Sequence, residues 1–353
     1  MEHVDVAVIG GGQSGLATAH ALLRHSVTPV VLEASGQAAG SWPRYYDSLT
    51  LFSPAWYSAL PGMPFPGGDP DRYPHRDEVV AYLSAYAAHL DADIRTGHRV
   101  AAVRRGDGGF EVELAGGGLL AARAVVAASG TFGRPHRPAL PGLETFTGTL
   151  LHAAEYRSPE PFAGQRVVVV GAGNSAVQIA AELAKDARVT LASRAPVKFI
   201  RQQIAGRELH FWLQRTGLDT APLGGLLREP PTQPVIDDGR YRAALAQGAP
   251  DRRPVFTGAE ETKVVWADGT REEVDGIVLA TGYRPDLPYL PGLDGALDAA
   301  GRPRHRGGAA RAVPGLAFVG LEWQRSLSSN SLRGVGRDAA HIARHLAAHL
   351  RRR

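Results

Sequence analysis

One strand, turn, helix and strand unit occurs twice in this chain, and that internal repeat constrains the fold more than any other feature. The first copy reads VDVAVIGGGQSGLATAHALLRHSVTPVVLEAS and the second RVVVVGAGNSAVQIAAELAKDARVTLASR. Each is an apolar strand, a glycine turn, an amphipathic helix and a second apolar strand, the βαβ pattern that binds dinucleotides. Gly10, Gly12 and Gly15 make GxGxxG, while Gly171, Gly173 and Ala176 make the GxGxxA form. Glu33 and Arg194 each stand 23 residues beyond the first glycine of their unit, at the end of the second strand. A carboxylate there accepts hydrogen bonds from ribose hydroxyls and suits FAD or NAD. A guanidinium pairs instead with the 2′-phosphate that only NADP carries.

The repeat continues past both units. VVAASGTFGRPHRPALPGL carries Ala128-Ser129-Gly130 and Leu140-Pro141-Gly142-Leu143, and IVLATGYRPDLPYLPGL carries Ala280-Thr281-Gly282 and Leu290-Pro291-Gly292-Leu293. Each half therefore has its own return strand, preceded by a hairpin signal, FEVELAGGGLLAARAVV and KVVWADGTREEVDGIVL, the latter with a tight Asp268-Gly269 turn. The expected fold class is α/β, with two Rossmann-type dinucleotide-binding domains. The NADPH domain, residues 159–284, is inserted in a discontinuous FAD domain of residues 1–158 and 285–353.

Composition narrows the chemistry. At 353 residues, 44% hydrophobic and 21% charged, the chain has room for two cores. The N-terminus enters a strand at once and no apolar run approaches spanning length, which predicts a soluble, cytoplasmic protein without a membrane partner. A net charge of +4 is mild, and no nucleic-acid motif accompanies it. There is no cysteine. Disulfide reductases, which share tandem FAD and NAD(P) domains, need a redox-active cysteine pair, so that chemistry is excluded together with iron–sulfur and Cys-type zinc sites. His341, His345 and His349 recur every four residues beside Ile342, Leu346 and Leu350, and read as the polar flank of an amphipathic helix, with no metal site assigned.

Between the halves stands Phe146-x-Gly148-x-x-x-His152-x-x-x-Tyr156. This resembles the FxGxxxHxxx(Y/F) fingerprint of the flavin-containing monooxygenases and their N-hydroxylating relatives. Gly40-Ser41-Trp42, the run YDSLTLFSP and Ala280-Thr281-Gly282-Tyr283 look like further motifs of that family, so the resemblance covers essentially the whole chain. It implies NADPH reduction of FAD, uptake of O₂ to give a C4a-hydroperoxyflavin, and oxygen transfer to a small soft nucleophile, a sulfide or an amine. NADH is compatible with the same site, and a homodimer with the same fold. His152 reads as a tie between domains, and no catalytic side chain is named.

The residues expected at FAD are Gly10, Gly12, Gln13, Ser14 and Gly15 at the pyrophosphate, Glu33 and Ala34 at the ribose, and, by resemblance, Ser41, Trp42 and Arg44 along the ribityl and flavin. Val100 would present backbone to the adenine, Ser129 and Gly130 would cover the pyrophosphate side, and Thr281 and Gly282 complete the surroundings. A terminal helix beginning near Gly334 would aim its positive end at the flavin and bring Asn330 to Leu332 close. At NADPH the expected residues are Gly171, Gly173, Asn174 and Ser175, with Ser193 and Arg194 at the phosphate and Lys198 nearby.

Three departures bear on activity. Tyr156 and Arg157 follow the motif histidine where Baeyer–Villiger relatives carry Trp and then Pro or Asp, so ketone oxidation is the second reading and a flavin reductase without oxygen insertion the third. Ser53 precedes Pro54 where many relatives carry an Asn that helps hold oxygenated flavin. Residues 201–254 break the Rossmann rhythm and predict a helix or two near FWLQ followed by a long loop over the nicotinamide or substrate entrance.

Overall fold

The computed structural model describes residues 1–227 and 231–352. The chain enters β1 (Glu2–Ile9), turns into α1 (Gln13–Leu23) and returns in β2 (Pro29–Leu32). After an irregular stretch come α2 (Arg76–His89), β3 (Asp93–Arg95) and the meander β4 (Val100–Gly106), β5 (Gly109–Leu114) and β6 (Leu119–Ala127). It crosses through β7 (Arg134–Pro135) to β8 (Thr149–His152), β9 (Arg166–Val170), α3 (Asn174–Leu183) and β10 (Arg188–Ser193). Next follow β11 (Phe199–Arg201), the short β12 (Gln203–Ile204) and β13 (Arg207–Glu208), α4 (Leu209–Arg215), β14 (Val235–Asp237), α5 (Arg240–Ala246) and β15 (Asp251–Pro254). An antiparallel trio, β16 (Gly258–Glu260), β17 (Lys263–Val265) and β18 (Arg271–Glu273), leads into β19 (Gly276–Leu279) and back across through β20 (Tyr283–Arg284). The short strands β21 (His305–Arg306), β22 (Ala309–Ala310) and β23 (Leu316–Phe318), then α6 (Leu332–Arg351), finish the chain.

Two separate sheets result, as the repeat demands. The first runs β21-β22-β23-β6-β1-β2-β3, with β5 joining β6 and β4 joining β5; the second runs β15-β10-β9-β19-β8. The central strands are parallel in both, with Val8 opposite Val31 and Val126, and Val169 opposite Leu191 and Val278. Their continuous valine runs suit sheets covered on both faces, and Val168 and Val169 are fully buried. Helix α6 packs on α1 through Val335, Ile342 and Leu346. His341, His345 and His349 flank that stripe as expected, and the helix starts at Leu332, near Gly334. Among the described residues no helix is long and apolar enough to cross a membrane.

The segment 201–254 is the main correction. The helix expected near FWLQ is α4, but the chain beyond it is not all loop: β14 returns to pair with β11, α5 follows, and β15 adds a parallel edge strand beside β10. That edge strand has the sequence Asp-Arg-Arg-Pro, whose polarity and terminal Pro254 carry no strand signal, though an edge strand tolerates proline. The hairpins also differ between halves. In the first, β6 is both hairpin arm and return strand, pairing with β5 and β1; in the second, the trio β16 to β18 stands apart from β19.

The two glycine turns are not equivalent. Gly10 takes φ +110°, and a Cβ on Gly15 would sit 1.8 Å from the Gly10 carbonyl oxygen. At the second turn Gly171 opens to φ +153° and the Ala176 methyl is accommodated, fully buried. Gly15→Ala is therefore expected to abolish soluble protein or sharply lower the thermal midpoint. Ala176→Gly should remain folded, losing about 1 kcal/mol of helix propensity. Thermal melts of the two variants check the contrast.

Candidate active site

A cavity of about 1750 Å³ runs from the first glycine turn to the second. Pockets for drug-sized ligands hold roughly 300–1,000 Å³, so this one has room for more than one such molecule. Gly10, Gly12, Gln13 and Ser14 form one end, where α1 begins; Gly173, Asn174 and Ser175 form the other, where α3 begins. Glu33, Ala34, Ser41, Trp42, Arg44, Val100, Ser129, Gly130, Gly282 and Leu332 line the wall between or beside them.

Glu33 is buried at the first end. One carboxylate oxygen accepts from the Gly11 N–H at 2.6 Å and the other from the Ser35 N–H at 2.8 Å and its hydroxyl at 2.7 Å. The oxygen bound to Gly11 keeps acceptor capacity for a further donor. Trp42 is aimed by a relay: its indole N–H donates to Gln13 Oε1 at 3.0 Å, and Gln13 Nε2 donates to the Asn330 carbonyl at 2.7 Å. The relay joins the first turn, the Gly40-Ser41-Trp42 segment and the start of α6, whose 20 residues present a positive end beside the cavity. The Ser129 hydroxyl donates to the Asp286 carbonyl and lies 2.8 Å from the Tyr289 hydroxyl.

An aromatic wall was not read from the sequence. Trp42, Tyr45, Phe132 and Tyr283 follow edge to face, with centroids 5.3, 5.7 and 5.0 Å apart, and His152 meets Tyr283 at 5.0 Å. Burial pushes the Tyr283 hydroxyl up to about 12 and the Tyr45 hydroxyl higher still, so both stay protonated. Tyr45 and Phe132 come from loops of no regular period, and a single chain offers no pattern that would single them out.

Both ring nitrogens of His152 are engaged. Nδ1 accepts from the Ala154 N–H at 3.1 Å, which leaves the proton on Nε2 to donate to the Gly282 carbonyl at 3.1 Å. Burial lowers the imidazole pKa and keeps the ring neutral. The histidine is thus a tie between β8 and the return crossing. Arg157 makes a second tie, its guanidinium reaching Asp47 and the Pro43 carbonyl, both at 3.2 Å. Tyr156 is fully buried and donates to Glu182 at 2.8 Å.

Six of the expected residues lie off the cavity wall: Gly15, Gly171, Ser193, Arg194, Lys198 and Thr281. The two glycines shape their turns from behind. Ser193 donates to the Ala195 carbonyl at 2.8 Å and Thr281 to the His136 carbonyl, so neither hydroxyl is free for a ligand. Asn174 lines the wall, but its side-chain oxygen accepts from the Ile236 N–H at 3.1 Å and anchors β14. Arg194 and Lys198 are exposed, with no side-chain hydrogen bond or ion pair among the described residues. Ser53 lines the cavity with its hydroxyl 2.9 Å from that of Ser58, which itself donates to the Pro54 carbonyl. The Ser53 hydroxyl thus has one proton at most to offer the cavity, and its contact with Ser58 competes for it.

Residues 7–214 match the model of the pyridine nucleotide-disulphide oxidoreductase family. A flavin-containing monooxygenase from Stenotrophomonas maltophilia superposes with a TM-score of 0.86 at 34% identity, over 99% of each chain. The chain belongs to the flavin-containing monooxygenase family. An indole-3-pyruvate monooxygenase of Oryza sativa subsp. japonica is 35% identical over 80% of this chain and 77% of its own length. An uncharacterized CzcO-like oxidoreductase of Geobacillus kaustophilus is 32% identical over 99% of this chain and all of its own. This flavoprotein monooxygenase thus has a flavin and a pyridine nucleotide as its family's cofactors, and its two glycine turns, facing one cavity, fit two dinucleotides.

Gly12 tests the first turn. A Cβ there would meet only the Gly40 backbone, at 3.3 Å, so the fold tolerates it, while the pyrophosphate needs the bare backbone. Gly12→Val should yield folded protein with little flavin, read as the visible-to-ultraviolet absorbance ratio. Full flavin content in that variant would move the cofactor elsewhere.

Proposed function

We propose that this monooxygenase uses FAD and NADPH to place one oxygen atom of O₂ on a small soft nucleophile, a sulfide or an amine. FAD would be held by residues 1–158 and 285–353 and NADPH by 159–284, in the cytoplasm. The observation that carries the reading is the single cavity joining both glycine turns in a chain with no cysteine to take electrons onward. Bound FAD supplies the redox and oxygen-activating chemistry. The balance is simple: two electrons arrive as hydride from NADPH, one oxygen atom goes to the substrate lone pair, and the other leaves as water with a solvent proton.

The chain's own work is binding, orientation and exclusion of water. Backbone amides at the start of α1 meet a pyrophosphate, Glu33 takes ribose hydroxyls, and the positive end of α6 favours negative charge on the reduced ring. Trp42, Tyr45, Phe132 and Tyr283 supply an apolar wall that keeps water from the reacting atoms. Arg194, exposed and unpaired, is available to the 2′-phosphate at the rim.

Three outcomes test this reading. A charge-assisted contact is worth about 1.5 to 3 kcal/mol, roughly tenfold to a hundredfold in affinity. Arg194→Ala should therefore raise the KM for NADPH by that factor and barely change that for NADH. With labelled dioxygen, a thioether should be converted to sulfoxide carrying the label; rapid reoxidation with no label in sulfide, amine or ketone products would falsify oxygen transfer and leave a reductase. Since Ser53 offers the cavity at most one donor where an amide offers two, part of the reducing power should appear as hydrogen peroxide. Ser53→Asn should lower the ratio of peroxide to product, measured by peroxide assay beside product yield.

A further inference from the structure

Beside the main cavity lies a second one of about 740 Å³. The two share Pro222, Gly225, Arg306, Gly307, Arg311 and Gln324 in their walls, so the smaller opens beside the larger. Its remaining charged or titratable lining comes from Arg325, His341 and His345, and among the described residues no carboxylate faces it. The two histidines are those on the polar flank of α6, left without a role by the dinucleotide sites.

The donors here outnumber their acceptors. Arg306 is exposed and makes no side-chain hydrogen bond or ion pair among the described residues. Arg311 donates only to the His305 carbonyl, at 3.2 Å. Arg325 alone is balanced, 3.3 Å from the buried Asp338. Gln324 is 2% exposed; its Oε1 accepts from the Leu321 N–H at 3.3 Å, but its Nε2 has no partner. That nitrogen is buried against Gly308 and does not open on the hollow. Two open guanidiniums line one hollow, and the group that pairs with both is a compact anionic acceptor.

We propose that this hollow is the substrate vestibule, and that the nucleophile oxygenated in the main cavity carries a carboxylate seated on Arg306 and Arg311. The proposal rests on the oxygen-transfer reading above. A carboxylate held there leaves the rest of a short molecule free to reach through the shared wall, which selects by charge at one end and by softness at the other.

The test compares methylthiopropanoate with its methyl ester on the flavin-loaded enzyme, read as the ratio of their kcat/KM values. Wild type should favour the acid. The double variant Arg306→Ser, Arg311→Ser should lose roughly tenfold or more of that ratio, through KM, as one charge-assisted contact of about 1.4 kcal/mol implies. Arg344→Ser, an exposed arginine of α6 outside the hollow, should leave the ratio in place and so controls for net charge. An unmoved ratio in the double variant, or a rise confined to the KM for NADPH, overturns the proposal, the latter assigning the arginines to the nucleotide. Calorimetric titration with pentanoate, which offers no oxidisable sulfur, separates the two readings. If neither thioether is oxygenated yet pentanoate binds wild type and not the double variant, oxygen transfer fails and the anion site stands. Equal pentanoate binding by both proteins removes the anion site whatever the turnover shows.

Discussion

The carbonyl of Gly282 is the knot on which the two halves depend. It accepts from the His136 N–H at 2.9 Å and from the neutral imidazole of His152 at 3.1 Å. Those donors belong to the outbound crossing and to the edge strand of the second sheet, while Gly282 itself lies on the return crossing at φ +83°. One atom therefore holds three stretches of chain, and Pro135 and Arg134 pair with Tyr283 and Arg284 just beyond it. The aromatic wall of the cavity hangs from the same place, since Tyr283 follows Gly282 and packs on both His152 and Phe132. Loosening this knot would shift the cavity wall and the spacing between the glycine turns together.

Each turn itself depends on backbone meeting backbone. A Cβ on Gly10 would stand 2.7 Å from the Ala128 carbonyl oxygen, and one on Gly171 would stand 2.4 Å from that of Ala280. The return strands β6 and β19 thus press on the turns from the same side in both halves. The halves then part company chemically: the carboxylate of Glu33 is buried and held by three donors, whereas the guanidinium of Arg194 stands in solvent. A buried acceptor suits neutral hydroxyls that come fully inside, and an exposed cation suits a doubly charged phosphate that stays at the rim.

What could be read from the chain is what repeats. Continuous valine runs, glycines at fixed offsets and matched return strands made both sheets, their parallel cores and most of the cavity floor legible, because those features need particular residue types at particular spacings. Residues 201–254 were misread since β15 is polar, sits at an edge and ends in proline, and since β14 exists only by pairing with the distant β11. Hydroxyls were misjudged for another reason. Ser193 and Thr281 stand at plausible ligand positions, yet each finds a nearby carbonyl, which sequence spacing cannot report. Tyr45 and Phe132 escaped notice because tertiary folding alone brings their loops to one wall.

The order in which the strands enter the first sheet has a bearing on how the protein is made. All five strands of the second sheet lie between residues 149 and 279, so that sheet can close while the chain is still being synthesised. The first begins with β1 at the N-terminus, but its β23 and the covering helix α6 come from the last 38 residues. Until those emerge, the valine strands of β1 and β6 have one face uncovered, and Gln13 lacks the carbonyl of Asn330. The half made first is finished last, with the inserted half already folded beside it. Nascent chains stalled before residue 316 would expose apolar strand surface and lack part of the cavity wall, which makes the ribosome-bound stage the point of greatest aggregation risk.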